Sequence, residues 1–167
     1  GMYRANVRIL DREKINNTYV LITEMVTNLH KFQRREYYRF NCIIEMQVKK
    51  LNQAQADAVE KNLGYLISDS DMSRGVIVDI SGGGLRFVSR SPYCEGSILY
   101  LKYKLNIADK DRDFTMAAKV LSSTEIPNRA GEYQNRVKFM YMDTTTREEI
   151  IKYIFNEERK NRKNGKG

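Results

Sequence analysis

The chain has 167 residues, 41% of them apolar, and a formal net charge of +8. That length allows one domain with an appendage. No run approaches the ~20 apolar residues of a membrane span, no signal peptide is visible, and the two cysteines, Cys42 and Cys94, lack metal-ligand spacing.

A reduced, cytoplasmic protein is the expectation. Gly1 ahead of Met2 reads as an expression remnant. The charge is focused: residues Lys31–Arg39 carry a net +3, Glu157–Gly167 another +3, and the rest of the chain +2. This speaks against a broadly basic nucleic-acid surface and for one anion site plus a basic tail. The single histidine, His30, builds no triad with the nucleophiles present, and no phosphate-binding G-x-x-x-x-G-K-[ST] loop occurs. Nothing in the sequence points to an enzyme, a metal or a cofactor.

Tyr3 to Leu10 alternates apolar and polar residues and predicts a half-buried strand. Asp11 to Asn17 reads as a turn, and the β-branched stretch Thr18 to Leu29 as a second strand. The two predict a hairpin, which alone is marginal in water. From Arg39 to Val48, Phe40, Cys42, Ile44, Met46 and Val48 share one face and Asn41, Ile43, Glu45 and Gln47 the other. Cys42 is therefore expected as a small buried hydrophobe. Gln53 to Asn62 predicts a short helix ended by Gly64. Strands follow at Arg74–Ile80, Leu85–Arg90, Ser97–Leu105, Phe114–Thr124 and Glu132–Met142, with Val137, Phe139 and Tyr141 on one face of the last. Several short strands with turn signals predict a small all-β barrel. The period then changes. Ile150, Ile151, Ile154 and Phe155 form a stripe at helical spacing, and Thr145…Glu148 and Thr146…Glu149 offer capping boxes. A C-terminal helix is predicted from about Thr146 to Arg159, with a disordered basic tail beyond it.

Two segments carry chemistry. Arg34-Arg35-Glu36-Tyr37-Tyr38-Arg39 reads as R-x-x-x-R with an extra leading arginine, and Asp79-Ile80-Ser81-Gly82-Gly83-Gly84 reads as D-x-S-x-x-G. Guanidinium groups pair bidentately with phosphate oxygens and match O6 and N7 of guanine. A carboxylate such as Asp79 suits guanine's N1–H and N2–H donors, Ser81 can donate or accept, and the glycines let backbone N–H groups come close to a ligand. The arginines also suit a plain solvated charge run, and the Ser-Gly-Gly-Gly tract a plain hairpin turn that needs positive φ.

In this order the two motifs resemble the signature of PilZ domains, over roughly Gln33 to Glu158. The resemblance implies a mainly β fold: a six-stranded PilZ-type β-barrel with a C-terminal helix, here preceded by an N-terminal β-hairpin. It divides the chain into residues 2–30, a hairpin like the remnant of the domain that precedes PilZ in flagellar-brake-type proteins; 31–160, the barrel with its helix; and 161–167, the tail. It implies a non-catalytic receptor for cyclic diguanylate (cyclic di-GMP), with Arg34, Arg35, Arg39, Asp79, Ser81, Gly83 and Gly84 at the ligand. Implied partners are cyclic di-GMP, with Arg34 suiting a second, stacked ligand per protomer, and a protein of the flagellar motor or the polysaccharide synthesis machinery. Self-association is a further expectation; nucleic acid and a membrane span are not expected. Ligand is expected to order the Lys31–Tyr38 connector. The competing readings are a nucleic-acid-binding barrel, which needs basic and aromatic residues along an open groove, and a protein-interaction module without a ligand.

Overall fold

The computed structural model describes residues 2–63 and 67–165. The chain divides into two compact units, Gly1–Glu36 and Tyr37–Gly167. The division falls after Glu36, six residues beyond the boundary expected at His30.

In the first unit β1 (Tyr3–Arg4) pairs antiparallel with β4 (His30–Lys31), and β2 (Val7–Ile15) with β3 (Thr18–Met25). The β2–β3 turn is only Asn16-Asn17, at φ 46° and 66°. Asparagine tolerates this left-handed backbone, and two such residues make the turn whose twist matches the flanking strands. The turn expected over Asp11–Asn17 is thus confined to its last two residues, and Asp11–Lys14 is strand. Both faces of the hairpin are exposed. With no buried face to enforce it, apolar–polar alternation does not mark where the strand ends.

The second unit is built from β5 (Phe40–Lys50), α1 (Gln53–Glu60), β6 (Ser73–Ser81), β7 (Gly84–Ser89), β8 (Ile98–Ile107), β9 (Lys110–Ile126), β10 (Arg129–Phe139) and α2 (Thr144–Asn164). Its six strands close into an antiparallel barrel in the order β10-β7-β6-β5-β8-β9. The expected mainly β barrel with a C-terminal helix is what the chain forms. β5 alternates as read: Phe40, Met46 and Val48 are buried, Cys42 and Ile44 pack half-buried against the core, and Asn41, Ile43, Glu45 and Gln47 are exposed. The core joins these to Ile77, Ile80, Leu85, Phe87, Leu99, Leu101, Leu105, Val120 and Val137. Asn52 caps α1 through a box with Gln55. The helix ends at Glu60, with Asn62 at φ 53°. Gly64, the expected terminator, lies outside the described residues.

Four local differences have physical causes. β10 stops at Phe139, and Tyr141 does not continue its inner face. Tyr141 takes φ 48° and donates its hydroxyl to the Glu60 carbonyl at 2.6 Å. The cap of α2 is Asp143, whose carboxylate accepts from Thr146 N at 2.8 Å and Thr146 Oγ1 at 2.6 Å. These bonds hold its carboxyl below the usual carboxylate range. The inward face of α2 is Ile150, Tyr153 and Ile154, with Ile151 half-buried; Phe155 points away at 56% exposure. Spacings of three and four from Ile150 reach residues 153 and 154 on one face, while 155 lies off it. α2 also runs through Asn164, so the segment expected to be disordered from residue 161 is helical as far as 164. Pairs Glu157–Lys160 and Glu158–Arg162, three and four residues apart, line this extension. Among the described residues no helix is long and apolar enough to cross a membrane.

Ile150→Ala is expected to cost about 2–5 kcal/mol, the range for emptying a buried aliphatic site. Phe155→Ala is expected to stay within about 0.5 kcal/mol, as for other surface changes. Urea denaturation of the two variants checks the direction in which α2 faces.

Candidate functional site

The site begins with a break in β6. Ile77 and Ile80 are both fully buried although they stand three residues apart, which an alternating strand does not permit. Ile77 pairs with Phe87 and Asp79 with Arg86, so Val78 is an extra residue and the register shifts there. Against β5 the register also shifts here, between the Asn41↔Asp79 and Ile44↔Ile77 pairs, but there β5 holds the extra residue. Such a bulge re-aims the next side chain. Asp79 leaves the core face and joins Arg86 on the other face of the sheet.

Asp79 is only 7% exposed. Arg86 Nε donates to its Oδ2 at 2.5 Å, and Arg86 Nη1 donates to Gln134 Oε1 at 3.0 Å. A nearly buried carboxylate is costly unless paired, and Arg86 supplies the pair. The cross-strand neighbour of Arg86 on β10 is the exposed Arg136, and that of Gly84 is the exposed Lys138. The β7–β10 side of the site is therefore basic around one acidic group.

The turn from β6 to β7 closes on itself. Ser81 Oγ donates to the Gly84 carbonyl at 2.9 Å and accepts from Gly83 N at 3.4 Å. Gly82, Gly83 and Gly84 are not in the left-handed region, so positive φ is not what requires them. Space requires them. A Cβ on Gly84 would run into the Val137 carbonyl of β10. A Cβ on Gly82 would lie 2.7 Å from Tyr37 Cδ1, and one on Gly83 3.0 Å from Tyr37 Cδ2. The Tyr37 ring thus lies on the glycine turn. Its hydroxyl accepts from Arg147 in the first turns of α2, with the guanidinium carbon 5.3 Å from the ring centroid.

Tyr37 stands inside the arginine motif, so the two sequence motifs meet through it. Arg39 directly precedes the Phe40↔Ile80 pair, at the Ser81 end of β6. It has no ion-pair partner among the described residues. Arg34 and Arg35 belong to the first unit; Gln33 Nε2 donates to the Arg35 carbonyl at 3.0 Å. Asp79, Ser81, Gly83, Gly84 and Arg39 fall in the barrel unit. Sequence reasoning missed Arg86, Gln134, Tyr37 and Arg147. A hairpin that pairs Ser81 with Gly84 must also pair Asp79 with Arg86, so Arg86 was within reach of register counting. Arg147, 110 residues from Tyr37, left no such signal. A groove of about 1390 Å³ crosses β5, β6, β7 and β8, lined by Glu45, Gln47, Arg74, Arg90 and Lys102 among others. None of the motif residues lines it, so volume alone does not locate the site.

A family model for the PilZ domain matches residues 33–156. The chain belongs to the PilZ domain family. Solved structures with the same fold include the Bacillus subtilis inhibitor of motility MotI/DgrA, at 17% identity and TM-score 0.62, covering 95% of this chain and 67% of that one. The PilZ domain of Escherichia coli YcgR, solved with c-di-GMP, matches at 18% identity and TM-score 0.56, covering 80% and 98%. A structure of E. coli YcgR in complex with c-di-GMP matches at 17% and 0.55, covering 93% of this chain and 60% of that one. At these identities the likeness is one of fold. No curated protein matches the chain.

Two outcomes follow from the PilZ barrel's geometry. Gly84→Ala is expected to destabilise by about 1–3 kcal/mol, as overpacking does, in urea denaturation. Burial, with a smaller contribution from Asp79, pushes the Cys42 thiol up to about 12. The thiolate is the reactive form, so iodoacetamide at pH 8 is expected to label exposed Cys94 and spare Cys42. Labelling of Cys42 appears only as pH rises toward that value, and peptide mass mapping reads it.

Proposed function

We propose that this PilZ chain is a non-catalytic receptor for cyclic diguanylate, bound at the turn between β6 and β7. One observation carries the reading: a nearly buried carboxylate, Asp79, is turned off the core face by a bulge and held by Arg86 beside the glycine turn on which the Tyr37 ring rests. Guanine's N1–H and N2–H are a donor pair, and a fixed carboxylate is the acceptor they need. Arg39 supplies a guanidinium for phosphate or for the guanine O6/N7 edge. Arg34 and Arg35 enter the proposal through their place in the motif, two and three residues ahead of Tyr37. Arg34 adds charge and a flat face for a second, stacked ligand. Ser81, Gly83 and Gly84 serve by shaping the turn.

The E. coli YcgR PilZ domain, solved with c-di-GMP, supports this ligand. The name of the B. subtilis relative, inhibitor of motility, supports motility control as the output; exopolysaccharide production is the next choice. The receptor would act in the cytoplasm through a protein partner.

Calorimetric titration with cyclic diguanylate tests the proposal. Arg39→Ala and Asp79→Ala are each expected to lose about 1.5–3 kcal/mol, the scale of a charged hydrogen bond, which is roughly tenfold to a hundredfold in affinity. Undiminished binding by both folded variants would remove the site. Linear dinucleotide accumulating on prolonged incubation would make the protein an enzyme instead.

A further inference from the structure

We infer that Arg86 is a positioning residue that sets base selectivity, by holding the Asp79 carboxylate in one orientation, and that Gln134 in turn holds Arg86. The inference rests on the reading that the site takes cyclic diguanylate.

Arg86 bridges three strands. It stands on β7, donates through Nε to Asp79 on β6, and donates through Nη1 to Gln134 on β10. The Asp79 side chain is 9% exposed and that of Arg86 30%, so the pair is drawn largely out of water and is weakly screened. The direction of Arg86 is not set by charge alone. Its cross-strand neighbour is Arg136, and like charges directly opposite one another are unfavourable. The Gln134 amide oxygen fixes the far side of the guanidinium fork while Nε stays on Asp79.

What this does to Asp79 follows from its chemistry. The terminal torsion of an aspartate is broad and loosely held. A carboxylate offers about four lone-pair sites on two oxygens, and Arg86 takes one of those on Oδ2. Among the described residues no donor reaches Oδ1. The plane of the carboxylate is fixed and the rest of its edge accepts only. That edge fits the adjacent N1–H and N2–H donors of guanine. It opposes adenine, which presents an acceptor at N1 and no amine at C2. Without Arg86 the carboxylate turns freely, and the bidentate contact must first be organised by the ligand, which weakens it.

The test compares affinities for cyclic diguanylate and cyclic diadenylate, with unfolding midpoints measured in parallel. The variants are Arg86→Met, Arg86→Lys and Gln134→Leu. Wild type is expected to prefer the guanine ligand. Arg86→Met is expected to weaken that ligand by about tenfold or more and to shrink the guanine-to-adenine ratio by a similar factor, as loss of one charged hydrogen bond implies. Arg86→Lys restores the charge without the fork and is expected to fall between. Gln134→Leu keeps the Asp79–Arg86 pair, so its ratio is expected to shrink by a few fold with an unchanged unfolding midpoint. A folded Arg86→Met with the wild-type ratio overturns the inference. If Arg86→Met does not fold, an unchanged ratio in Gln134→Leu overturns it. Wild type that binds neither dinucleotide overturns the receptor reading and this inference with it; wild type that binds, with variants of unchanged ratio, overturns this inference alone.

Discussion

The site depends on one extra residue in β6. Ile77 and Ile80 must both enter the core, and a regular strand cannot place both there. Without the Val78 bulge, Asp79 would share the face of Ile77 and carry a carboxylate into the barrel interior. Burying a lone charge there costs several kcal/mol. The bulge resolves both demands. It keeps the isoleucines in and turns Asp79 out, opposite Arg86, and Ser81 then reaches forward to close the turn at Gly84.

The glycine turn works through closeness rather than through unusual torsions. At Gly84 the β10 backbone comes so near that no side chain fits, which lets β7 and β10 close the barrel. At Gly82 and Gly83 the neighbour is the Tyr37 ring, which reaches on to Arg147 of α2. Turn, Tyr37 and helix are therefore in mutual contact. Displacing the ring from the turn also disturbs its bond to α2. This is the physical route by which occupancy of the turn would be felt at the helix.

Most of this fold was legible because a buried face imposes a period. The alternation of Phe40, Cys42, Ile44, Met46 and Val48 set β5, and the change to spacings of three and four at Ile150 set α2. Where nothing is buried, as in β2 and β3, strand ends were not legible. The stripe was misjudged by one residue, Phe155 for Tyr153, because both are aromatic and only the position around the helix axis separates them. The two motifs were legible as residue types, but their geometry was not. The bulge at Val78 looks like ordinary apolar sequence, and Arg86 is reached only by counting the strand register back from the Ser81–Gly84 turn. Tyr37 looked like a spacer between arginines. Its role depends on Gly82, Gly83 and Arg147, which are far from it in the chain.

Under the proposed function, cyclic diguanylate binds at the β6–β7 turn beside Asp79 and Arg39. The most direct measurement is an amide and side-chain NMR titration of the assigned protein with cyclic diguanylate. Saturable shifts are expected, concentrated at Tyr37–Arg39, Asp79–Gly84 and the Arg86 guanidinium, carrying over to Arg147. Shifts confined to the groove of Arg74, Arg90 and Lys102, with the β6–β7 turn unmoved, would contradict it.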